Sequence, residues 1–158
     1  MRTPSQTVGP FYSIGLCRRA DNELVPAADP AAVRLGGRLL DGDGAPVADG
    51  MVEVWDAGAR RWGRSGTGPD GGFSFVVAKP TAAVGAPHFD VYVFARGLLR
   101  HQRTRIYFPD EVAANADDPV LSSLDAADRA RLVAEHDDGG VRFDIHLQGP
   151  LETIFFSS

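Results

Sequence analysis

A chain of 158 residues has room for one domain with a hydrophobic core and little for a second. Its 44% hydrophobic and 23% charged residues are close to soluble averages, and 18 glycines with 11 prolines imply many turns between short elements. A formal net charge of -5 excludes the overall Lys and Arg excess that nucleic-acid phosphates demand, so a small molecule or a protein is the expected partner. Cys17 is the only cysteine, so no intrachain disulfide can form. Without a secretory apolar region or a run that could span a bilayer, the chain is expected in the cytoplasm and away from membranes.

In chain order, residues 1–32 show no period and carry Pro4, Gly9, Pro10, Gly15, Pro26 and Pro30, which predicts an irregular arm ahead of a sandwich over residues 33–158. Within the arm, Thr7-Val8-Gly9-Pro10-Phe11-Tyr12 concentrates aromatics where little local structure can bury them, so it docks either on its own domain or on another chain. Short alternating or apolar stretches follow at Val33–Leu40, Met51–Trp55, Phe73–Val77, Asp90–Ala95 and Arg103–Phe108. Between them, Asp41-Gly42-Asp43-Gly44 and Pro69-Asp70-Gly71-Gly72 supply residues that tolerate positive φ and predict tight hairpin turns. From Val120 to Glu135, Leu121, Leu124 and Leu132 recur at helical spacing, with Ser122 or Ser123 as a cap, which predicts one helix over a sheet edge. Val141, Phe143, Ile145 and Leu147 then alternate with Arg142, Asp144 and His146, and Thr153–Phe156 ends the set. The pattern predicts an all-β, mainly antiparallel β-sandwich of about seven to eight strands with one short helix.

Local signals for chemistry are sparse. The histidines His88, His101, His136 and His146 form no His-x-His, His-Glu-x-x-His or Cys-x-x-Cys pattern that would set ligands on one face. His88 with Asp90 comes nearest, because residues i and i+2 of a strand point the same way, but two ligands do not make a metal site. No Gly-x-Ser-x-Gly elbow and no phosphate-cradling glycine loop is present. The basic run Arg96, Arg100, His101, Arg103 and Arg105 reads either as a solvated face or as the source of one guanidinium that grips a carboxylate bidentately. Arg96 is the candidate for the second reading, since it ends an alternating strand and precedes Gly97, where the backbone must turn.

Thr3-Pro4-Ser5-Gln6-Thr7-Val8-Gly9-Pro10-Phe11 followed by Ile14-Gly15-Leu16 resembles the start of the alpha chains of protocatechuate 3,4-dioxygenase, of the intradiol ring-cleavage dioxygenase family. Further matches follow in the same order: Gly37-Arg38-Leu39-Leu40-Asp41-Gly42-Asp43-Gly44, Glu53-Val54-Trp55, Val77-Ala78-Lys79-Pro80, Ala86-Pro87-His88, Phe94-Ala95-Arg96-Gly97, Thr104-Arg105-Ile106-Tyr107-Phe108, Phe143-Asp144-Ile145, and Gln148-Gly149 with Glu152-Thr153. The resemblance spans nearly the whole chain.

It implies an enzyme of paired alpha and beta chains that opens 3,4-dihydroxybenzoate between its hydroxyl-bearing carbons with O2 to give 3-carboxy-cis,cis-muconate, a step of aromatic degradation in the beta-ketoadipate pathway. The cofactor it implies is Fe3+ bound by two tyrosines and two histidines of the partner beta chain. In this chain the family's His-x-His reads His88-Phe89-Asp90, the loop Thr81-Ala82-Ala83-Val84 has no tyrosine, and residues 56–66 offer Trp62 alone among aromatics. No metal is therefore expected on this chain, with His88 left at a vestigial ligand position. By the same resemblance Thr7, Gly9, Pro10 and Phe11 line the partner's active site, and Arg96 reaches toward it and the substrate carboxylate. The chain is shorter than its family between Leu16 and Val33 and between Trp55 and Gly63. Two other classes share the strand pattern: a metal-independent transthyretin-like binding module, and a self-sufficient iron enzyme recruiting His88, His101, Tyr92 and Tyr107.

Overall fold

The structure, a computed structural model, describes residues 3–9, 11–81 and 85–157. A short helix α1 (Tyr12–Leu16) interrupts the arm. The strands are β1 (Ala32–Leu40), β2 (Met51–Asp56), β3 (Arg61–Gly66), β4 (Gly72–Ala78), β5 (His88–Phe94), β6 (Gln102–Tyr107), β7 (Glu135–Asp137), β8 (Gly140–Arg142) and β9 (Ile145–His146). Helices α2 (Val112–Asp117), α3 (Pro119–Ser122) and α4 (Ala126–Ala130) lie between β6 and β7. One sheet runs β4-β1-β8-β7 with β9 also on β1, and the other runs β3-β2-β5-β6. Neighbours are antiparallel except where β1 meets β8 and β9.

Period-two patterning explains the two layers. In β5, Phe89, Val91 and Val93 are buried while His88, Asp90, Tyr92 and Phe94 alternate with them on the outer face. Facing them, Leu35 and Leu39 of β1, Phe73, Phe75 and Val77 of β4, and Val141, Phe143 and Ile145 join the same apolar cluster. The expected single strand from Val141 to Leu147 is split. Around the break, Phe143 donates its N–H to the Gly36 carbonyl at 2.8 Å, and the Asp144 carboxylate accepts the Arg38 N–H at 2.9 Å in place of a backbone carbonyl. The register against β1 is the same on both sides, Gly36 opposite Arg142 and Leu39 opposite Ile145, so the apolar residues stay on the core face.

Other expectations need correction. Thr153–Phe156 forms no strand; it lies along the edge of β6, where Phe156 N–H donates to the Arg103 carbonyl and the Thr104 hydroxyl to the Ile154 carbonyl, both at 2.8 Å. The helix expected from Val120 to Glu135 is broken because two aspartates, not Ser122 or Ser123, cap it: Asp118 starts α3 and Asp125 restarts the chain as α4. The two glycine-rich turns are tight, as expected: Gly44 N–H donates to the Asp41 carbonyl and Asp41 N–H to that of Ala45, and Gly71 N–H donates to the Gly68 carbonyl and Gly68 N–H to that of Gly72, with Gly44 and Gly71 at positive φ. They do not join paired strands of one sheet, because each lies on the path of the chain from one sheet to the other, Asp41–Gly44 after β1 and Pro69–Gly72 before β4. Strands β3 and β7 were not expected, since Arg61–Gly66 lacks an apolar face and Glu135–Asp137 is fully exposed.

The arm settles on its own domain over much of its length. Arg64 N–H donates to the Asp21 carbonyl, Val76 N–H to that of Asn22, and Leu24 N–H to that of Val76, so one segment covers the edges of β3 and β4. Among the described residues no helix is long and apolar enough to cross a membrane. Gly37 marks the tightest crossing, because a Cβ there would sit 1.9 Å from the Phe143 carbonyl oxygen. Gly37→Ala is expected to destabilise the fold by about 3 kcal/mol or more by forcing β1 away from that crossing, measurable by urea unfolding.

Candidate functional site

The register of β2 against β5 places Met51 opposite Phe94, which brings Asp49 and Arg96, two residues beyond each, face to face. They form an ion pair, Arg96 Nε to Asp49 Oδ2 at 2.6 Å. Next to Arg96, Gly97 takes φ +90, a left-handed conformation suited to glycine, and its N–H donates to the Thr7 hydroxyl at 2.8 Å. The Tyr12 hydroxyl lies against two backbone carbonyls, of Asp49 at 2.7 Å and of Phe94 at 2.9 Å. Burial, helped by Asp49 and Cys17 and opposed by Arg96, pushes the Tyr12 phenol up to about 12, so it remains a donor at neutral pH.

Four of the site residues named from the sequence thus fall in one neighbourhood. Thr7 and Tyr12 pin the arm at both ends of the segment that holds Gly9 and Phe11, and Arg96 lies beside Thr7. Gly9 is exposed and Phe11 is 74% exposed; Pro10 lies outside the described residues. An open groove of about 390 Å³ runs alongside, lined by Gln6, Val8, Phe94, Leu98, Leu99 and His101 among others. Asp49 was missed in the sequence, and Tyr12 was named only as part of the docking segment Thr7–Tyr12. Asp49 stands in no motif, and only the strand register reveals that it faces Arg96.

The ligand position at His88 does not fit a ferric ion. Asp90, where a second imidazole would be needed, is held through Oδ1 by Arg103 at 3.1 Å and Arg105 at 3.3 Å. His88 Nδ1 is 2.8 Å from the Ala86 carbonyl, and its ring lies 5.1 Å from that of Tyr107. Tyr107 is fully buried, accepts from Arg105 at 3.1 Å and donates to Asp118 at 3.2 Å. Burial, with Asp118 adding and Arg105 opposing, raises that phenol to about 12, which disfavours the tyrosinate a ferric ion binds. The Tyr92 and His101 rings form a separate pair 5.5 Å apart, so His101 and Tyr107 are each fixed near β5 after all. The two pairs are four residues apart along β5, about 13 Å, and do not converge. Among the described residues no group of three or more His, Cys, Asp or Glu side chains is placed to hold a metal ion.

Beneath this position Asp118 ties three segments together: the loop before β5, β6 and α3. Its carboxylate accepts from the N–H groups of Ala86 at 3.0 Å, Val120 at 2.9 Å and Leu121 at 3.0 Å, and from Tyr107. Burial alone would raise its pKa, but these backbone and hydroxyl donors outweigh it and hold the carboxyl below its ordinary value.

The comparisons with known proteins bear on which family owns this arrangement. No family model matches the chain. It is 42% identical over 190 aligned positions to a protocatechuate 3,4-dioxygenase alpha chain of Burkholderia cepacia, covering 98% of this chain and 96% of that one. It is 37% identical to the corresponding alpha chain of Pseudomonas putida, covering 98% and 95%. The chain belongs to the protocatechuate 3,4-dioxygenase alpha-chain family. Solved structures share its fold: an intradiol ring-cleavage dioxygenase of Tetranychus urticae (TM-score 0.62, 14% identity, 84% of this chain and 88% of that one) and a dioxygenase domain of Streptomyces sp. SirexAA-E (TM-score 0.59, 21% identity, 81% and 87%). The alignment to the B. cepacia alpha chain is longer than the 158 residues here, so that relative carries segments this family member lacks. Strands β2 and β3 are joined by the short turn Ala57–Arg60.

A depressed native carboxyl stabilises the fold above the unfolded-state pKa of about 4, and that contribution is lost as pH falls through the lower native value. Stability is therefore expected to decline as pH drops from about 5 toward 3. Asp118→Ala should lose about 2–4 kcal/mol at pH 7 and show a flatter decline, as read from urea midpoints across pH.

Proposed function

We propose that this chain is the alpha subunit of a protocatechuate 3,4-dioxygenase, acting with a beta subunit that holds the Fe3+. In this reading residues 1–158 form one domain, the enzyme works in the cytoplasm, and its substrates are 3,4-dihydroxybenzoate and O2. The product is 3-carboxy-cis,cis-muconate. The partner's ferric ion supplies activation of the bound catecholate toward oxygen.

The contribution of this chain is positional. Thr7, Gly9, Pro10 and Phe11 wall the partner's pocket, excluding water and confining the ring, and Arg96 meets the substrate carboxylate. A guanidinium suits that task because its planar fork donates two parallel hydrogen bonds, and a substrate fixed at one end presents its ring in one orientation. The observation that carries the proposal is the Thr7–Gly97 hydrogen bond, which sets the exposed arm beside Arg96 on one surface. Phe11 at 74% and Ile14 at 76% exposure leave apolar side chains of the arm uncovered, as a pocket wall awaiting a second chain would.

Coexpression with a beta chain tests this. Tyrosinate bound to ferric iron absorbs visible light, so the isolated chain is expected to be colourless and the assembled enzyme coloured and active in oxygen uptake on 3,4-dihydroxybenzoate. Arg96→Ala should raise KM for that substrate about ten- to a hundredfold, the equivalent of one charged hydrogen-bonded contact. Unchanged KM and turnover would remove Arg96 from the pocket.

A further inference from the structure

We infer that Asp49 is a positioning residue, which pairs with the Arg96 guanidinium and restrains it beside the arm so that it is preorganised for the substrate carboxylate. The inference rests on the role proposed for Arg96. Asp49 Oδ2 lies 2.6 Å from Arg96 Nε, an ion pair, while 57% of the Arg96 side chain stays exposed against 32% for Asp49. The guanidinium is therefore restrained by a neighbour and still accessible to a ligand carboxylate, which its planar fork can grip.

The carboxylate of Asp49 is itself on a fixed base. Its carbonyl accepts from Tyr12, the next residue, Gly50, donates its N–H to the Thr67 hydroxyl at 2.7 Å, and that hydroxyl donates to the Val47 carbonyl at 2.6 Å. Tyr12 also reaches the carbonyl of Phe94, two residues before Arg96, so both ends of the ion pair are referred to one phenol. A free arginine has a long flexible stem and loses rotamer freedom when it binds. Arg96 has lost much of that freedom before the substrate arrives, which is preorganisation.

The test uses the assembled alpha-beta enzyme, with dissociation constants from anaerobic spectral titration and steady-state KM and kcat. The ligands are 3,4-dihydroxybenzoate and catechol, which lacks the carboxylate. Asp49→Asn is expected to weaken 3,4-dihydroxybenzoate about three- to tenfold in both constants, leaving kcat within about twofold and catechol unchanged. Asp49→Glu should recover part of the loss, and Asp49→Asn should add nothing in an Arg96→Ala background. If Arg96→Ala weakens binding while Asp49→Asn leaves it unchanged or tightens it, Asp49 is a bystander or a competitor; the positioning role then falls and the Arg96 reading stands. If Arg96→Ala has no effect, both fall. Equal losses for the two ligands would mark a general structural defect and overturn the inference.

Discussion

The pairing of β2 with β5 is the constraint on which the functional surface depends. Met51 opposite Phe94 sets Asp49 opposite Arg96, and the Tyr12 hydroxyl fits the two carbonyls that this register brings together. A shift by one residue would turn Val52, Val54, Val91 and Val93 out of the core, so the core enforces the register and the register enforces the site. The arm then follows: Thr7 on Gly97, Tyr12 on Asp49 and Phe94, and the Leu16 carbonyl accepting from Arg64 at 2.8 Å. An otherwise irregular segment gains a defined path because groups fixed on the sheets and their loops pair with its polar groups.

The outer face of β5 and β6 shows how charged and aromatic side chains around His88 satisfy one another. A carboxylate at Asp90 leaves a half-buried negative charge, and two guanidiniums from the neighbouring strand neutralise it. The Tyr107 phenol passes its hydrogen to Asp118 and receives one from Arg105, so its polar atom is fully used. These bonds commit the donors and acceptors to one another. A cation arriving there would have to displace two arginines and ionise a phenol whose burial opposes ionisation.

The core was largely legible in the sequence, because period-two alternation survives in β4, β5 and the Val141–Leu147 stretch whatever the surroundings. What misled were places where side chains replace backbone partners. Asp144 breaks a strand by entering the ladder, and Asp118 and Asp125 divide a helix that leucine spacing alone would have kept whole. The glycine turns were recognised as turns but not as crossings between sheets, since local φ preferences do not say which strands will pair. In the candidate site Arg96 and the arm could be named because they sit in family-like segments. Asp49 could not, and Tyr12 only as the end of the docking segment, since their roles arise from contacts spanning 37 and 82 residues of chain.

The central claim is that this chain supplies an oriented cation and an arm to a pocket whose ferric ion belongs to another subunit. A structure of the assembled alpha-beta enzyme with 3,4-dihydroxybenzoate bound tests it most directly. The account predicts that the Arg96 guanidinium lies within hydrogen-bonding distance of the substrate carboxylate, Asp49 remains paired with Arg96, and every protein ligand to iron comes from the partner. An iron ion bound by His88 and Tyr107, or an Arg96 turned to solvent away from the substrate, would contradict it.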